Sequence, residues 1–586
     1  MLNGHTLNGA PLNGAPRRTV LGPVVVQPVV SVLWNVRVML AGLDITAQLT
    51  GSVRIEREEG AATLADIVIA LDAGPVNPSS YIGNTVEIYY QHWNGSGWDE
   101  HLRFRGQVVR PQYDLQGRLL SCECSDRLQD AVEALSVAQV DTLCGGIWSA
   151  DMYETPEGRS RWDYAQERMA TRTATLQKSV EGTLQVTDWA AAAQAHWLVP
   201  AGAALDETLD YAPVELSERV NVLEVSLEYR FQRLRQRHQR WLWEHPDIAG
   251  WTIDNSFCLW RSDSTELPDI PMITEAVTGA GYQAVLDGAS WLRLPLSGVY
   301  CSPPQGWTNV YADLLLAADF TGGRRWVQPV TEQYTLRLEA TASIAQAGEV
   351  IRRDSVAAET ENDRADEFIE AVFTAPEADA TQDALGDWVV DLHDSSRREQ
   401  AFTTLAETAR VQILSAHRGN RYSFELPTSD TLGMRLEHTL QSEDEVAGRQ
   451  IRARGKLALL VDEFDFDQGT AITTLSLAIS QGGGGVDDPL LMPAPPSTTP
   501  SGAVPALIIL PTQLGSKNSS PIYDDDLDGF AGNYDVNDLD INPTLVAFPR
   551  RLDVTAPEIP EDHQDEFVGV RPATFRVAIP DDLLEL

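Results

Sequence analysis

The sequence predicts a β-rich α+β protein: β-barrel domains carrying inserted mixed α/β domains, followed by an extended C-terminal appendage. Two observations predict it. Short runs of alternating apolar and polar residues, punctuated by Gly and Asn-Gly, recur between residues 30 and 135 and again near 455–480, the period-two signature of half-buried strands. Only a few stretches between them keep the 3.6-residue period of a helix. At 586 residues with 43% hydrophobic content, the chain has enough apolar surface for about two to four cored domains.

Residues 1–29 open with "MLNGHTLNGAPLNGAP", a turn-rich near-repeat expected to form an extended N-terminal arm that orders against a partner. Arg17 and Arg18 precede an apolar run that superficially resembles an export signal or a membrane span. Pro23 and Pro28 interrupt it, and Val32, Trp34, Val36, Val38 and Leu40 alternate as a strand does, so neither is expected. Residues 30–135 form the first barrel, with strands at "VRIERE", "LADIVIALD", "NTVEIYYQHW", "LRFRGQVVR" and "RLLSCEC", and a hairpin tip at "HWNGSGWDEHL". Asp126 is placed to cap a short helix over "RLQDAVEAL", with Gln129 completing a capping box.

Residues 136–215 read as a mixed α/β domain, with helices at "RWDYAQERMA" and "VTDWAAAAQAHW". Over 216–249 a long strand is expected to return to the barrel core. On it Val225, Leu227, Tyr229 and Phe231 alternate, and the same face continues as Arg233, Arg235 and Arg237. A solvated face or docking on a neighbour's acidic wall would explain those arginines. Residues 250–390 form an inserted β-rich domain. Residues 391–480 begin with a helix, "SSRREQAFTTLAETARVQILSAHRG", with Ser396 and Glu399 as its capping box and Gly419 as its stop, and end in the second barrel. A Gly/Pro-rich linker at 481–503 leads to the acidic appendage 504–586, with one small β-unit near "FVGVRPATFRVAI".

Lys and Arg total 44 against 85 Asp and Glu, a net charge of −41, which repels nucleic acid and excludes a sequence-reading binder. "VDEFDFDQGT" crowds Asp462, Glu463, Asp465 and Asp467 around two phenylalanines. Such acids could be the acid/base pair of a glycan-cutting enzyme or the rim of a hairpin, and the flanking strand patterns favour the hairpin. No nucleophile elbow, zinc-protease motif or phosphate loop is present, so no catalytic residue is assigned. His417, at a helix end, is expected to cap or pack, and the 15 tryptophans to fill cores and interfaces.

Cys122, Cys124, Cys144, Cys258 and Cys301 are too scattered for a disulfide framework, and the single residue between Cys122 and Cys124 does not suit zinc or iron–sulfur ligation. In "DDDLDGFAGNYD", Asp524, Asp526, Asp528, the Phe530 carbonyl and Asp535 fall at the ligand spacing of a calcium loop, with Asp in place of the usual terminal Glu. Calcium is the one cofactor this pattern raises.

The block "LAGLDITAQLTGSVRIEREEGAATLADIVIAL", with "GNTVEIYY" and "LRFRGQVVRPQYDLQGRLLSCECSDRL" after it, resembles the first tube-like barrel of baseplate and tail-tip hub proteins of tailed bacteriophages. "AHRGNRYSFELP", "LGMRLEHTL" and "GKLALLVDEFDFDQGTAITTLSLAIS" are similar to the end of the same hub core, and the resemblance spans about residues 31–480. It implies a non-enzymatic structural virion protein. It implies also a homotrimer whose two barrels per subunit form a pseudo-sixfold ring continuing the tail tube as part of the DNA-ejection channel. Implied partners are tail-tube or distal tail proteins, the tape-measure protein, and receptor-binding or spike proteins; the implied location is the virion, after assembly in a host cytoplasm. The alternatives are a tail-associated cell-wall hydrolase using the 462–467 carboxylates and a carbohydrate-binding adhesin.

Overall fold

The computed structural model describes residues 22–27, 33–205, 207–244, 248–249, 251–253, 268–293, 297–299, 306–308, 313–360, 363–371, 373, 375–496, 504–510, 530–531, 551–552 and 554–586. The fold is a β-rich α+β fold built on two large sheets.

In the first barrel, β1 (Trp34–Leu40), β2 (Ser52–Glu58), β3 (Leu64–Ala70), β4 (Thr85–Trp93), β5 (Trp98–Asp114) and β6 (Leu119–Ser125) pair antiparallel in the order β2-β3-β6-β5-β4-β1. The expected alternation holds: Val36, Val38, Val53, Ile55, Ile67, Ile69, Val86 and Ile88 face one core, and their neighbours in sequence face out. α1 (Leu128–Glu133), α2 (Val137–Cys144) and α3 (Arg161–Met169) share a small core with the hairpin β7 (Ala174–Lys178) and β8 (Leu184–Asp188). Asp126 Oδ1 accepts from Leu128 N at 3.1 Å, but the reciprocal capping box belongs to Ser136 and Gln139 on α2.

The helix expected over "VTDWAAAAQAHW" does not form. Val186–Asp188 closes β8, and Trp197–Val199 is a strand, β9, held between Val24–Val25 and Leu440–Ser442 in parallel register. Pairing on both edges and burial of Val199 outweigh the helix preference of four alanines.

The second sheet departs from expectation most. β10 (Val222–Glu244) does not return to the barrel core. Beyond the distal helix α4 (Ile270–Gly279), the chain comes back as β11 (Leu315–Glu339), antiparallel to β10 along its whole length, from Val222↔Glu339 to Glu244↔Ala317. The region expected as one inserted β-rich domain therefore contains half of this ribbon. β12 (Ile351–Glu359) and β13 (Trp388–Leu392) flank β10. At the far end of the ribbon, Gly322 and Gly323 permit close packing: a Cβ on Gly322 would meet the Trp241 ring at 2.8 Å, and one on Gly323 would meet Phe373 at 2.6 Å and Leu286 at 2.7 Å.

α5 (Ser395–His417) lies across the ribbon. Phe402, Leu405, Ala406, Ala409 and Ile413, the stripe legible in the sequence, pack on Tyr229, Phe231, Tyr334 and Leu336. Its N-cap is Asp394, whose carboxylate accepts from Ser396 N at 2.8 Å, rather than the expected Ser396 box; its C-cap is Arg418.

β14 (Asn420–Pro427), β15 (Thr439–Val446), β16 (Arg449–Asp465) and β17 (Thr470–Ile479) build the second barrel in the order β14-β17-β16-β15-β9. β16 also pairs with β2 from Leu459↔Glu58 to Asp465↔Ser52. One strand thus supplies Leu457 and Leu460 to the second core and Phe464 to the first, so both barrels belong to one continuous sheet. Trp34 stacks near Phe464 and Phe466 and donates to Gly469 O at 3.3 Å, bridging β1 to the β16–β17 turn.

The described C-terminal residues do not form a separate appendage. Leu507–Ile509 pairs with β10, β18 (Phe567–Arg576) runs parallel to β11 from Val330↔Phe567 to Glu339↔Arg576, and Leu584–Glu585 pairs with β16. The supposed linker is tied down as well, by Asp488 to Arg576 at 2.8 Å. Apolar alternation in "FVGVRPATFRVAI" was a real strand signal, but its partner was another strand 237 residues earlier (Val330↔Phe567), which no local pattern names.

Candidate functional site

"VDEFDFDQGT" folds as the end of the β16–β17 hairpin. Asp465 Oδ1 accepts from the backbone N–H groups of Asp467 and Gln468 at 2.8 and 2.9 Å, and Gly469 takes φ +70° to close the turn. Glu463 and Asp467 are exposed. Asp462 corrects the expectation of four acids crowded at a rim: it is fully buried. Arg103 on β5 grips both of its oxygens at 2.9 and 2.6 Å, Arg57 on β2 donates to Oδ2, and Thr473 Oγ1 donates to Oδ1 at 2.7 Å. Burial raises the Asp462 pKa, but Arg103 and Arg57 outweigh it and hold the carboxyl below its ordinary value. A general acid needs the opposite displacement and an open cleft. Asp462 offers neither.

The arginine ladder on β10 meets acids of its own chain. Arg233 forms an ion pair with Asp391, its Nη2 reaching Oδ2 at 3.0 Å. Arg235 and Arg237 are each 2% exposed. Arg237 binds both oxygens of Asp387, at 2.6 and 2.9 Å; Arg235 Nη1 donates to Asp383 at 2.9 Å and lies 3.0 Å from His563 Nδ1. His563 Nδ1 is also 3.2 Å from Asp387 Oδ2. Burial raises the Asp387 pKa, while His563 and Arg237 more than offset it, leaving the carboxyl below its usual value.

Asp383, Asp387 and His563 have ligand-type atoms within 4.8 Å of one another, as a metal site would. A cation there would have to displace the guanidiniums of Arg235 and Arg237 from these carboxylates, so the donor set fits an ionic staple better than a metal. The staple joins β10, the turn before β13 and the short helix Glu561–Gln564.

His417 is fully buried; its Nδ1 lies 2.8 Å from Ile413 O, and its Nε2 lies 2.7 Å from Ser343 Oγ. Ser343 is equally buried, so this Ser–His pair packs a helix end and has no route to substrate. Cys122 and Cys124 point into the first core, and Cys144 into the helical one. Burial pushes Cys122 and Cys144 up to about 11 and Cys124 further, the reverse of a reactive or ligating thiol. Cys258 and Cys301 lie outside the described residues, as do Asp524, Asp526, Asp528 and Asp535 of the calcium loop; Phe530 begins a two-residue strand paired with Arg551–Leu552.

Two exposed surfaces stand out among the described residues. At the β4–β5 tip, Trp93 and Trp98 oppose each other at 5.7 Å, edge to face, and are 42% and 41% exposed. β12 pairs with β10 on one side only among the described strands, and its residues are exposed except for Val356 and Ala358. What sequence reasoning missed were the counter-charges: Arg57, Arg103, Asp383, Asp387 and His563 follow no motif. For Arg57 and Arg103 the one visible signal is a charge at a buried position of a strand; Asp383 and Asp387 in a turn and His563 on a short helix carry none.

No family model and no curated protein matches the chain. Among solved structures it is similar to the tail protein from Neisseria meningitidis MC58, with a TM-score of 0.35, 10% identity, and coverage of 76% of this chain and 96% of that one. It is similar also to the prophage MuSo2 43 kDa tail protein from Shewanella oneidensis, with a TM-score of 0.33, 10% identity, and 76% and 98% coverage. A third is the E. coli c3393 protein, a component of the type VI secretion system with structural similarity to T4 bacteriophage tail proteins gp27 and gp5, with a TM-score of 0.25, 8% identity, and 86% and 89% coverage.

Proposed function

We propose that the chain is a structural virion protein, the hub of a phage-like tail tip or baseplate, working as a homotrimer. The observation that carries this reading is the pair of barrel cores fused into one continuous sheet through β16. A subunit with two side-by-side barrels can supply two segments of a tube wall, and three such subunits close a pseudo-sixfold ring. The charge of −41 suits a conduit through which DNA slides without adhering.

In this reading the ring meets tail-tube or distal tail proteins on one side and spike or receptor-binding proteins on the other, with the tape-measure protein in its lumen. The exposed Trp93–Trp98 tip and the open edge of β12 are the surfaces offered to neighbours. The protein acts without catalysis: of the four candidate carboxylates, Asp462 is consumed by two guanidiniums and Asp465 by its own turn. Among the described residues no helix is long and apolar enough to cross a membrane. Calcium binding at 524–535 belongs to the same proposal.

Light scattering of the purified protein, with calcium and with chelator, tests it. The expected mass is three times the chain's 64.4 kDa, with lower stability in chelator. A monomer that also fails to join assembled tails, or one that clears cell-wall substrate unless Glu463 is changed to Gln, would sink the hub reading.

A further inference from the structure

The turn Arg435–His438 leads into β15 and is closed by His438 N, which donates to Arg435 O at 2.9 Å. The His438 ring lies against β9, with its Nδ1 3.2 Å from Trp197 Nε1 and 3.2 Å from Arg435 N. His196, just before β9, lies 5.2 Å from the same ring between centroids, and its own Nδ1 accepts from Thr439 N at 2.9 Å. An indole N–H and a backbone N–H can only donate. Both Nδ1 atoms are therefore fixed as acceptors, and the ring proton of each imidazole belongs on Nε2.

Burial is the main cause that lowers the His438 pKa; Glu437 on its own turn opposes the shift, while His196 beside β9 and Arg435 add to it. The elements packed on the turn engage those charges. Glu181 of the β7–β8 turn pairs with Arg435 at 2.8 Å, and Gln185 of β8 donates to Glu437 at 3.4 Å. On β16, Lys456 is drawn toward Glu437 and donates to Asp188 O, and Arg454 donates to Ala193 O at 2.8 Å. Trp197 is packed closely as well: a Cβ on Gly433 would meet its ring at 2.9 Å.

We propose that the contact of His438 with Trp197 is an acid-sensitive latch: a proton on His438 Nδ1 turns an acceptor into a donor facing two N–H groups, and β9 loosens from the turn. β9 is only three residues long, and among the described strands Val24–Val25 pairs with it alone. Val24 N donates to His196 O and Val26 N to Leu198 O, each at 2.9 Å. Opening of β9 therefore releases the strand that leads in from the N-terminus, while β15, β16 and β17 keep their longer ladders. The lowered His438 value sets the sign. The latch is complete above about pH 7 and weakens as pH falls below the ordinary histidine value of about 6.5, because the opened form takes up the proton more readily.

Amide exchange of the full-length protein, read by mass spectrometry at about pH 7.5 and about pH 5 and corrected for the intrinsic rate at each, tests the latch. Exchange over 22–26 and 197–199 speeds by about tenfold in acid, the equivalent of one lost hydrogen bond, whereas β16 and β17 stay protected. His438→Asn puts a carbonyl oxygen where Nδ1 stands and does not titrate, so this variant stays closed under both conditions. Should it not fold, Trp197→Phe decides: without the indole N–H, exchange is already faster near neutrality and the acid step shrinks. Equal corrected rates under both conditions in the unaltered protein overturn the proposal, as does an acid step that survives His438→Asn or is undiminished in Trp197→Phe.

Discussion

Asp462 and Asp387 are both fully buried and both lie among guanidiniums, yet their partners come from different kinds of places. Those of Asp462 stand on β2, β5 and β17, strands of one continuous sheet whose register the backbone ladder already sets. Those of Asp387 include His563, on a four-residue helix whose backbone carbonyls also accept from Trp326 and Gln328, so this cluster helps fasten the C-terminal segment onto the second sheet. The same chemistry is interior support in one region and a clasp in the other. Buried ion pairs add little net stability when complete, but losing one member strands the others.

The comparison breaks first at Asp462. Asp462→Asn leaves two buried guanidiniums facing an amide, an expected loss of about 3–5 kcal/mol in urea unfolding, felt across both barrels because β16 serves both. A loss below about 1 kcal/mol would mean that water reaches the cluster.

Acid sharpens it next. Both carboxyls are held below their unfolded values, so their contribution is complete above about pH 4 and drains away as pH falls through the lower folded values. Stability should therefore stay flat with respect to these two groups from pH 7 to about 5 and fall steeply below 4. In Asp462→Asn the acid-induced loss becomes shallower, which equilibrium unfolding across that range would measure.

The smallest effect is the most discriminating. His563→Ala removes one hydrogen-bonding side chain from the clasp, at about 1–3 kcal/mol, and should speed amide exchange over 561–576 while leaving β16 and β17 protected. Equal loss of protection in the first barrel would show that the two clusters are not separate devices.

Much of the architecture was legible beforehand. The strands of the first barrel, the α5 stripe through Phe402 and Ile413 and the β16–β17 hairpin follow from patterns contained within about a dozen residues. The candidate sites were less legible. Arg235 and Arg237 look like a solvated face because Asp387, which neutralises Arg237, lies 150 residues away. Asp462 looks like a rim acid because its sequence neighbours are, whereas its partners lie 405 and 359 residues away. "AAAAQAHW" favours helix locally but runs as an irregular loop into β9 at Trp197, because Val24–Val25 and β15 offer that strand edges on both sides.

By itself, then, the sequence determined which residues alternate, which stripe of a helix is apolar, where turns fall and how strongly negative the molecule is. Each of these is a property of neighbours along the chain, encoded by side-chain period and turn chemistry. Only the tertiary structure decided that β10 leaves the barrels, that the last residues are stitched into both sheets, and which charges are buried. A charge can leave water only where a counter-charge meets it, and distant segments of the chain supply those counter-charges once the backbone ladders have brought them together.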